Sequence, residues 1–298
     1  MNIYKKPKVT KEAEIVLDDI DFLTFYNVLK PSNLDLTLFK KNITKVKVIE
    51  NNHESFHASM YNPLLNELII SRNHYQETIM HELFHLASSY INYNNNICYT
   101  GFTQKNIKTY QEIGRGLTEG YTALLDERYF KDYTDNKESL LKETYKLTKT
   151  VVLELEMIVG REAMEYYYST CDIYSLIKYL ASLTNLKETL SFIRNIDNMF
   201  KWGDNMRYSN PLFAIHYYEK CRLYLIKLCL SLFTKNYQEG YISTSDYLEG
   251  IRLTKEELTK DIKTNSFLVI KSHKYTRKMF DRTLEDVKKS IKLNKYKL

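Results

Sequence analysis

The stretch from Tyr75 to Tyr90 reads YQETIMHELFHLASSY. Its apolar residues recur at helical spacing around two histidines, His81 and His85. On a helix, residues i and i+4 project from one face about one turn apart. The pattern therefore predicts a largely buried helix that presents two imidazoles side by side.

Glu82 completes an HExxH motif with these two histidines. Two imidazole nitrogens at this spacing can bind one metal ion, typically zinc, and the carboxylate can take a proton from water that the ion activates. The alternative is a helix whose histidines are merely packed or solvated. The apolar neighbours of the motif argue against it, because buried imidazoles and a buried carboxylate need a partner. We therefore predict a metal site with Glu82 as catalytic base.

A catalytic site of this kind needs a third protein ligand and one open position. A third histidine shortly downstream is excluded, because none occurs between His85 and His216. The best remaining candidate is Glu119, which lies in GLTEG near the start of a helix predicted from about Leu117 to Tyr129. The glycines on both sides of Glu119 would let another backbone pass closely.

HELFH followed by GLTEGYTALLD resembles the gluzincins, the zinc metallopeptidase group typified by thermolysin. The resemblance covers roughly residues 44–130 and extends to uncharacterised gluzincin-like proteins of low-GC Gram-positive bacteria and their mobile elements. It implies one Zn²⁺ per chain, held by His81, His85 and Glu119, with Glu82 as general base and acid. It also implies that the strand–turn–strand at Ser55–Ser71 offers an edge strand to an extended peptide.

Two further roles implied by the resemblance have open assignments. Many gluzincins place an Asp four residues after the ligand Glu to orient a zinc-bound histidine, but here that position is Ala123. Asp126 or Thr122 could take its place, and the alternative is that Asp126 is an ordinary helix residue. The oxyanion is usually stabilised by a Tyr or His side chain, each of which could equally belong to the core. The candidates are Tyr121, Tyr166, Tyr167, Tyr168 and His216.

The composition indicates the general class of protein. The 298 residues are 44% hydrophobic and 27% charged, with 8 Gly and 4 Pro, which is typical of a globular, helix-rich protein. No apolar run approaches the roughly 20 residues that span a bilayer, and no signal-peptide pattern follows the start. We therefore expect a soluble, cytoplasmic protein with no membrane partner. Four cysteines without framework spacing predict reduced, structural thiols.

The sequence predicts an α+β fold that divides near residue 133. Strands near residues 45–49, 56–61 and 67–71 predict a small antiparallel sheet leading into the HExxH helix. Residues 92–100 are expected to form a polar loop. Helices are predicted near 13–30, 137–158, 161–182, 186–200, 210–234, 244–264 and 275–294. We expect a zincin-like subdomain over 1–133 with a mostly antiparallel sheet, and an all-helical subdomain over 134–298 that completes the cleft.

The last predicted helix is basic, with ten Lys or Arg against three acidic residues from Lys271 onward, in a chain of net charge +6. A solvated helix face is the simplest interpretation, and nucleic-acid binding is the alternative.

The predicted function is that of a hydrolase, a zinc-dependent metallopeptidase that cleaves a peptide or protein substrate. Zinc-activated water attacks the peptide bond, and Glu82 transfers the proton. The alternative is a catalytically restricted or inactive regulatory protein on a zincin scaffold, including a mobile-element protein that acts on one specific partner. The intact Glu82 argues against this alternative, because a scaffold has no use for a base at that position.

Overall fold

A computed structural model describes residues 8–9, 22–51, 59–71, 75–131, 145–204, 210–259 and 281–286. Within these ranges the protein combines two small β-sheets with a larger set of helices, which is the predicted α+β class. No helix in these ranges is both long and apolar enough to cross a membrane. The basic helix predicted near 275–294 falls mostly outside them, and only 281–286 are described there, as helix.

Among the described residues, the first sheet has the strand order β1-β2-β4-β3. Its strands are β1 (Lys8–Val9), β2 (Lys47–Asn51), β3 (Met60–Asn62) and β4 (Glu67–Ser71). As predicted, β3 turns back on β4 as an antiparallel hairpin, with Asn66 left-handed (φ 50°) in the turn. The prediction of a mostly antiparallel sheet needs a correction here, because β2 pairs in parallel with both β1 and β4 and only β3 with β4 is antiparallel. The sheet is mixed, with β3 at its edge.

Three helices accompany this sheet. They are α1 (Phe22–Leu29), α2 (Thr37–Ile43) and α3 (Tyr75–Ala87). The first is the described end of the helix predicted over 13–30, whereas α2 has no counterpart in the sequence prediction. The HExxH helix α3 ends three residues before its predicted end, because the hydroxyls of Ser88 and Ser89 bond back to the carbonyls of Phe84 and His85.

Directly after α3 the chain forms a second sheet that the sequence analysis missed. Its strands β5 (Ser89–Asn92), β6 (Ile97–Thr100), β7 (Thr103–Asn106) and β8 (Glu112–Ile113) form an antiparallel meander. The predicted polar loop over 92–100 is therefore wrong. Asn96 (φ 55°) and Gly101 (φ 53°) supply left-handed turn residues that let neighbouring strands reverse. Across the first hairpin, Tyr90 and Tyr99 stack with ring centroids 4.6 Å apart.

Within the described residues, the remaining helices follow the predicted segments with one exception, and the predicted residues 137–144 and 260–264 lie outside that part of the chain. These helices are α4 (Arg115–Phe130), α5 (Lys146–Val159), α6 (Arg161–Ser169), α7 (Ile173–Leu183), α8 (Leu186–Met199) with a π-helical turn over Phe200–Asp204, α9 (Pro211–Gln238) and α10 (Thr244–Thr259). Residues 161–182 form two helices instead of the predicted one. Cys171 is left-handed (φ 58°), and Asp172 then caps α7 by accepting the Ser175 N–H at 3.0 Å.

One hydrophobic cluster joins residues on both sides of the predicted boundary near 133. At its centre Phe25 on α1, Phe84 on α3 and Phe130 on α4 contact one another, with ring centroids 5.0, 5.4 and 5.8 Å apart. Because α3 carries the HExxH motif and α4 carries Glu119, this aromatic group fixes the spacing of the two helices that matter most for the site.

A buried charge network ties α4 to α5 and α6. Arg128 on α4 donates to Glu156 on α5 at 3.0 Å and to Glu165 on α6 at 3.1 Å. Tyr121 donates to Glu156 at 2.7 Å, and Arg161 donates to Glu165 at 2.8 Å. The network therefore links α4 to both helices, and removing one of its members would be destabilising because it leaves a buried charge uncompensated.

Candidate metal centre

The helix α3 places His81 and His85 one turn apart and buries both. Their Nε2 atoms lie 3.1 Å apart, and their rings meet edge to face with centroids 4.8 Å apart. Leu83 and Phe84, which stand between them in the sequence, are buried in the hydrophobic core. That burial fixes the rotation of the helix, so the two imidazoles are held where the HExxH spacing predicts them.

Helix α4 brings Glu119 to the same point. Its Oε2 lies 3.3 Å from the Nε2 of His81 and 3.5 Å from the Nε2 of His85. The ligand atoms of the three residues all lie within 4.8 Å of one another, so this group can hold a metal ion. The donor set is two imidazole nitrogens and one carboxylate oxygen, which is one of the combinations found in catalytic zinc sites.

The glycines beside Glu119 permit close helix packing. A Cβ on Gly116 would lie 2.6 Å from the carbonyl oxygen of Ile196 on α8. One on Gly120 would lie 2.9 Å from the backbone of Thr148 on α5. Both distances are too short for a real Cβ, so α4 approaches two neighbouring helices more closely than larger residues would allow. The close backbone approach expected from the sequence is confirmed.

Asp197 on α8 anchors the first turn of α4. Its Oδ2 accepts the N–H of Gly114 at 2.8 Å, and its Oδ1 accepts the N–H of Gly116 at 2.9 Å. The first N–H groups of a helix have no acceptor within the helix, so this carboxylate acts as a cap supplied from outside. Burial raises the pKa of Asp197 to about 6. The sequence analysis missed this residue, because nothing local links it to a turn so distant in the chain.

Replacing Asp197 by alanine is expected to loosen the turn that carries Glu119. The free energy of unfolding of the metal-free chain should fall by about 1–2 kcal/mol, as for loss of a capping side chain. The affinity for added Zn²⁺ should fall by about tenfold or more, as for loss of an outer-shell partner. Asp172→Ala is the matched control, because Asp172 caps α7 instead of α4. Urea unfolding should show a similar cost for both variants, and unchanged Zn²⁺ affinity in Asp197→Ala would contradict the anchoring role.

The charges around His81, His85 and Glu119 favour a cation at this point. Burial acts to lower the pKa of His81, but Glu119, Glu82 and Asp126 outweigh it and raise that pKa. Burial likewise acts to raise the pKa of Glu119, but the imidazoles of His85 and His81 outweigh it and hold that pKa well below its ordinary value. Three carboxylates around two imidazoles therefore favour positive charge at this point.

Glu82 lies beside the cluster and in contact with the edge strand. Its Oε2 accepts the backbone N–H of Tyr61 in β3 at 2.6 Å. Burial raises the pKa of Glu82, against the opposing effects of His85 and His81. The carboxylate is thus oriented by a backbone donor rather than left to rotate freely.

The cluster opens into a cleft of about 630 Å³. Its lining includes Glu82, Glu119, residues 59–63 around the β3 edge, and Tyr145. Tyr145 directly precedes α5, and its ring stacks on the imidazole of His81 with centroids 5.4 Å apart and planes 9° apart. The sequence analysis missed Tyr145, because one tyrosine among 26 gives no signal of its own.

Of the two candidates for orienting a histidine, Asp126 is the better placed. It is buried on α4 and interacts electrostatically with His81. Within the described residues, neither Asp126 Oδ1 nor His81 Nδ1 has a hydrogen-bond partner. Thr122, in contrast, donates back to the carbonyl of Thr118 at 2.8 Å.

The candidates for oxyanion stabilisation lie away from the cleft. Tyr121 donates to Glu156, and Tyr168 hydrogen bonds with Thr122 at 2.7 Å. The described residues that line the cleft do not include any of the five candidates, Tyr121, Tyr166, Tyr167, Tyr168 and His216. The lining does include Lys105 and Arg115, which the sequence analysis missed. Arg115 precedes Glu119 by one helical turn, so its spacing was a usable signal.

All four cysteines are free thiols in the structure. Cys98 lines the cleft, and burial raises its pKa to about 11. Cys98 is not part of the three-residue group that can hold a metal ion.

Comparison of the chain with protein-family models, with curated proteins and with solved structures found no match. The gluzincin resemblance therefore depends on the HExxH motif, on GLTEG, and on the cluster that the two motifs form. That cluster could hold a metal ion.

Proposed function

We propose that the protein is a zinc-dependent metallopeptidase of the gluzincin type. The observation that carries the proposal is the convergence of His81, His85 and Glu119, with the Glu82 carboxylate in the same cleft. Zinc is the metal that this donor set favours, since two imidazoles with one carboxylate suit it better than they suit Mg²⁺ or Ca²⁺.

Zinc bound at this site would supply a Lewis acid that activates water and polarises a carbonyl. Glu82 then has the proton-transfer role: it accepts a proton from the attacking water and delivers it to the leaving amine. The hydrogen bond from the Tyr61 N–H orients its carboxylate for this role. Asp126 is proposed to orient His81 through Nδ1, because Asp126 Oδ1 and His81 Nδ1 are both buried without a hydrogen-bond partner among the described residues and the two side chains interact electrostatically.

The position of β3 favours a peptide over other substrates. It is the outermost described strand of the first sheet, and residues 59–63 line the cleft next to Glu82. The N–H groups of Ser59 and Tyr61 already donate to the side chains of Thr78 and Glu82. An extended peptide that lies along this edge would still place a peptide bond beside the catalytic groups. Tyr145 closes the site on the side of His81 and offers an aromatic surface to a bound side chain.

The test is metal-dependent hydrolysis by the full-length chain. We expect one tightly bound zinc per chain by elemental analysis, and cleavage of a mixed peptide library read by mass spectrometry. A chelator should abolish cleavage, and added Zn²⁺ should restore it. One zinc per chain without cleavage of any peptide would favour the regulatory alternative instead. A chain that binds no zinc would contradict both.

A further inference from the structure

One wall of the cleft carries positive charge that the proposed reaction does not use. This wall consists of α4 and the second sheet, and its charged residues are Lys105, Glu112 and Arg115. The other two carboxylates of the cleft, Glu82 and Glu119, belong to the metal centre. The wall therefore presents two cations against one carboxylate to whatever enters the cleft.

Arg115 is positioned by two ion pairs and a ring contact that leave its N–H donors available to a ligand. Its Nε lies 3.8 Å from Oε1 of Glu119, and its Nη1 lies 3.7 Å from Oε2 of Glu112. Both distances exceed hydrogen-bond length, so these are loose ion pairs. The guanidinium also lies over the ring of Phe200, 5.5 Å from its centroid. Because the side chain is 51% exposed, its donors can still reach a ligand.

Glu119 connects Arg115 directly to the metal centre. One oxygen, Oε2, faces His81 and His85, while the other, Oε1, faces Arg115. Only the width of one carboxylate group therefore separates the guanidinium from the metal-ligating oxygen. A group placed next to a bound peptide carbonyl on this side would come within reach of Arg115.

Lys105 extends the positive wall along the second sheet. It stands directly opposite Glu112 in the pairing of β7 with β8, so Glu112 lies between Lys105 and Arg115. A bound metal ion would take up the charge of Glu119, which leaves this side of the cleft with an excess of positive charge. Low-dielectric walls concentrate such a field on an incoming ligand.

We propose that the cleft selects peptides that carry a carboxylate close to the scissile bond, bound by Arg115 with assistance from Lys105. This inference is built on the proposed peptidase function. A guanidinium pairs with a carboxylate through two parallel N–H···O bonds, which gives orientation as well as affinity. The carboxylate can belong to an acidic side chain or to the C-terminus of the substrate, and the two sources are separable by experiment.

The experiment measures binding apart from turnover. Short fluorescent peptides of one length carry Glu or Gln at each internal position in turn, and end in a free acid or an amide. Their dissociation constants are measured by anisotropy on the zinc-loaded full-length Glu82→Gln chain. We expect a carboxylate peptide to bind about tenfold or more tightly than the neutral Gln-amide peptide, as charge-assisted hydrogen bonds do. Tight Glu-amide binding identifies a side-chain carboxylate, and tight Gln-acid binding identifies the C-terminus.

Introducing Arg115→Gln into the Glu82→Gln chain should remove the preference for carboxylate peptides, while the zinc content of the chain is retained. Lys108→Gln is the matched control, because Lys108 is an exposed cation just beyond β7 and is not among the residues lining the cleft. Equal binding of neutral and carboxylate peptides, or a preference that survives Arg115→Gln, would overturn the inference, as would absence of binding. Cleavage by the wild-type chain without carboxylate preference would sink the inference and leave the peptidase proposal standing. A carboxylate preference in binding, without cleavage of any peptide by the wild-type chain, would overturn the peptidase proposal and leave the inference standing.

Discussion

The Glu82→Gln chain should hydrolyse peptides about 10²–10⁴-fold more slowly than the wild-type chain, which is the usual contribution of a general base. Glutamine has nearly the same shape as glutamate and can still accept the Tyr61 N–H, so the site should keep its geometry. It cannot take up the proton of the attacking water. Initial rates at saturating substrate, with zinc content measured on the same samples, give the result.

Glu162→Gln is the control for this loss, because Glu162 is an exposed glutamate on α6 outside the cleft. Its rate and zinc content should equal those of the wild-type chain. If Glu82→Gln retained full activity with zinc bound, the proton-transfer role of Glu82 would be wrong even though metal binding was right.

The Glu119→Ala chain should lose zinc affinity by more than about 100-fold, which exceeds the cost of losing an outer-shell partner. Its Oε2 is the only carboxylate oxygen in the three-residue cluster found among the described residues. Without it, two imidazoles remain, which is one protein ligand fewer than a catalytic zinc site has. Competition with a chromophoric chelator measures the dissociation constant.

Glu112→Ala is the matched control, because Glu112 is a carboxylate of the same cleft that lies outside the metal cluster. It should bind zinc as the wild-type chain does. Equal zinc affinity in Glu119→Ala and the wild-type chain would remove Glu119 from the ligand set, and a different third ligand would have to be found.

The metal cluster could be predicted because its signals are local. His81 and His85 share one helical turn, and the apolar residues around them fix the face that they occupy. Predicting Glu119 needed more than a local signal. It was chosen among many glutamates because no histidine lies shortly downstream of His85 and because its surroundings resemble those of the gluzincin ligand. The structure brings it within 3.5 Å of both imidazoles. The flanking glycines were the physical signal, because Gly116 and Gly120 meet two other helices at backbone distance.

The missed features depend on positions that only tertiary structure brings together. Asp197 and Gly116 stand 81 residues apart, and no periodicity relates them. The second sheet was missed because none of its strands is longer than four residues, which is too short for alternation to show, so the turn residues Asn96 and Gly101 carry most of the information. The parallel pairing of β2 with β4 likewise follows from the order of strands in space, which sequence pattern does not specify.

The anchoring of α4 by Asp197 also has a consequence for the order of events during translation. A nascent chain acquires His81, His85 and Glu119 long before it acquires Asp197, which follows Gly116 by 81 residues. Until α8 has left the ribosome, the turn ahead of Glu119 lacks its acceptor, and Gly116 lacks the helix against which it packs. The three residues of the cluster are therefore synthesised early, but Glu119 is fixed in place only after α8 has been synthesised. A chain that ends before α8 therefore carries the three candidate metal ligands without the contacts that hold the turn ahead of Glu119 in place.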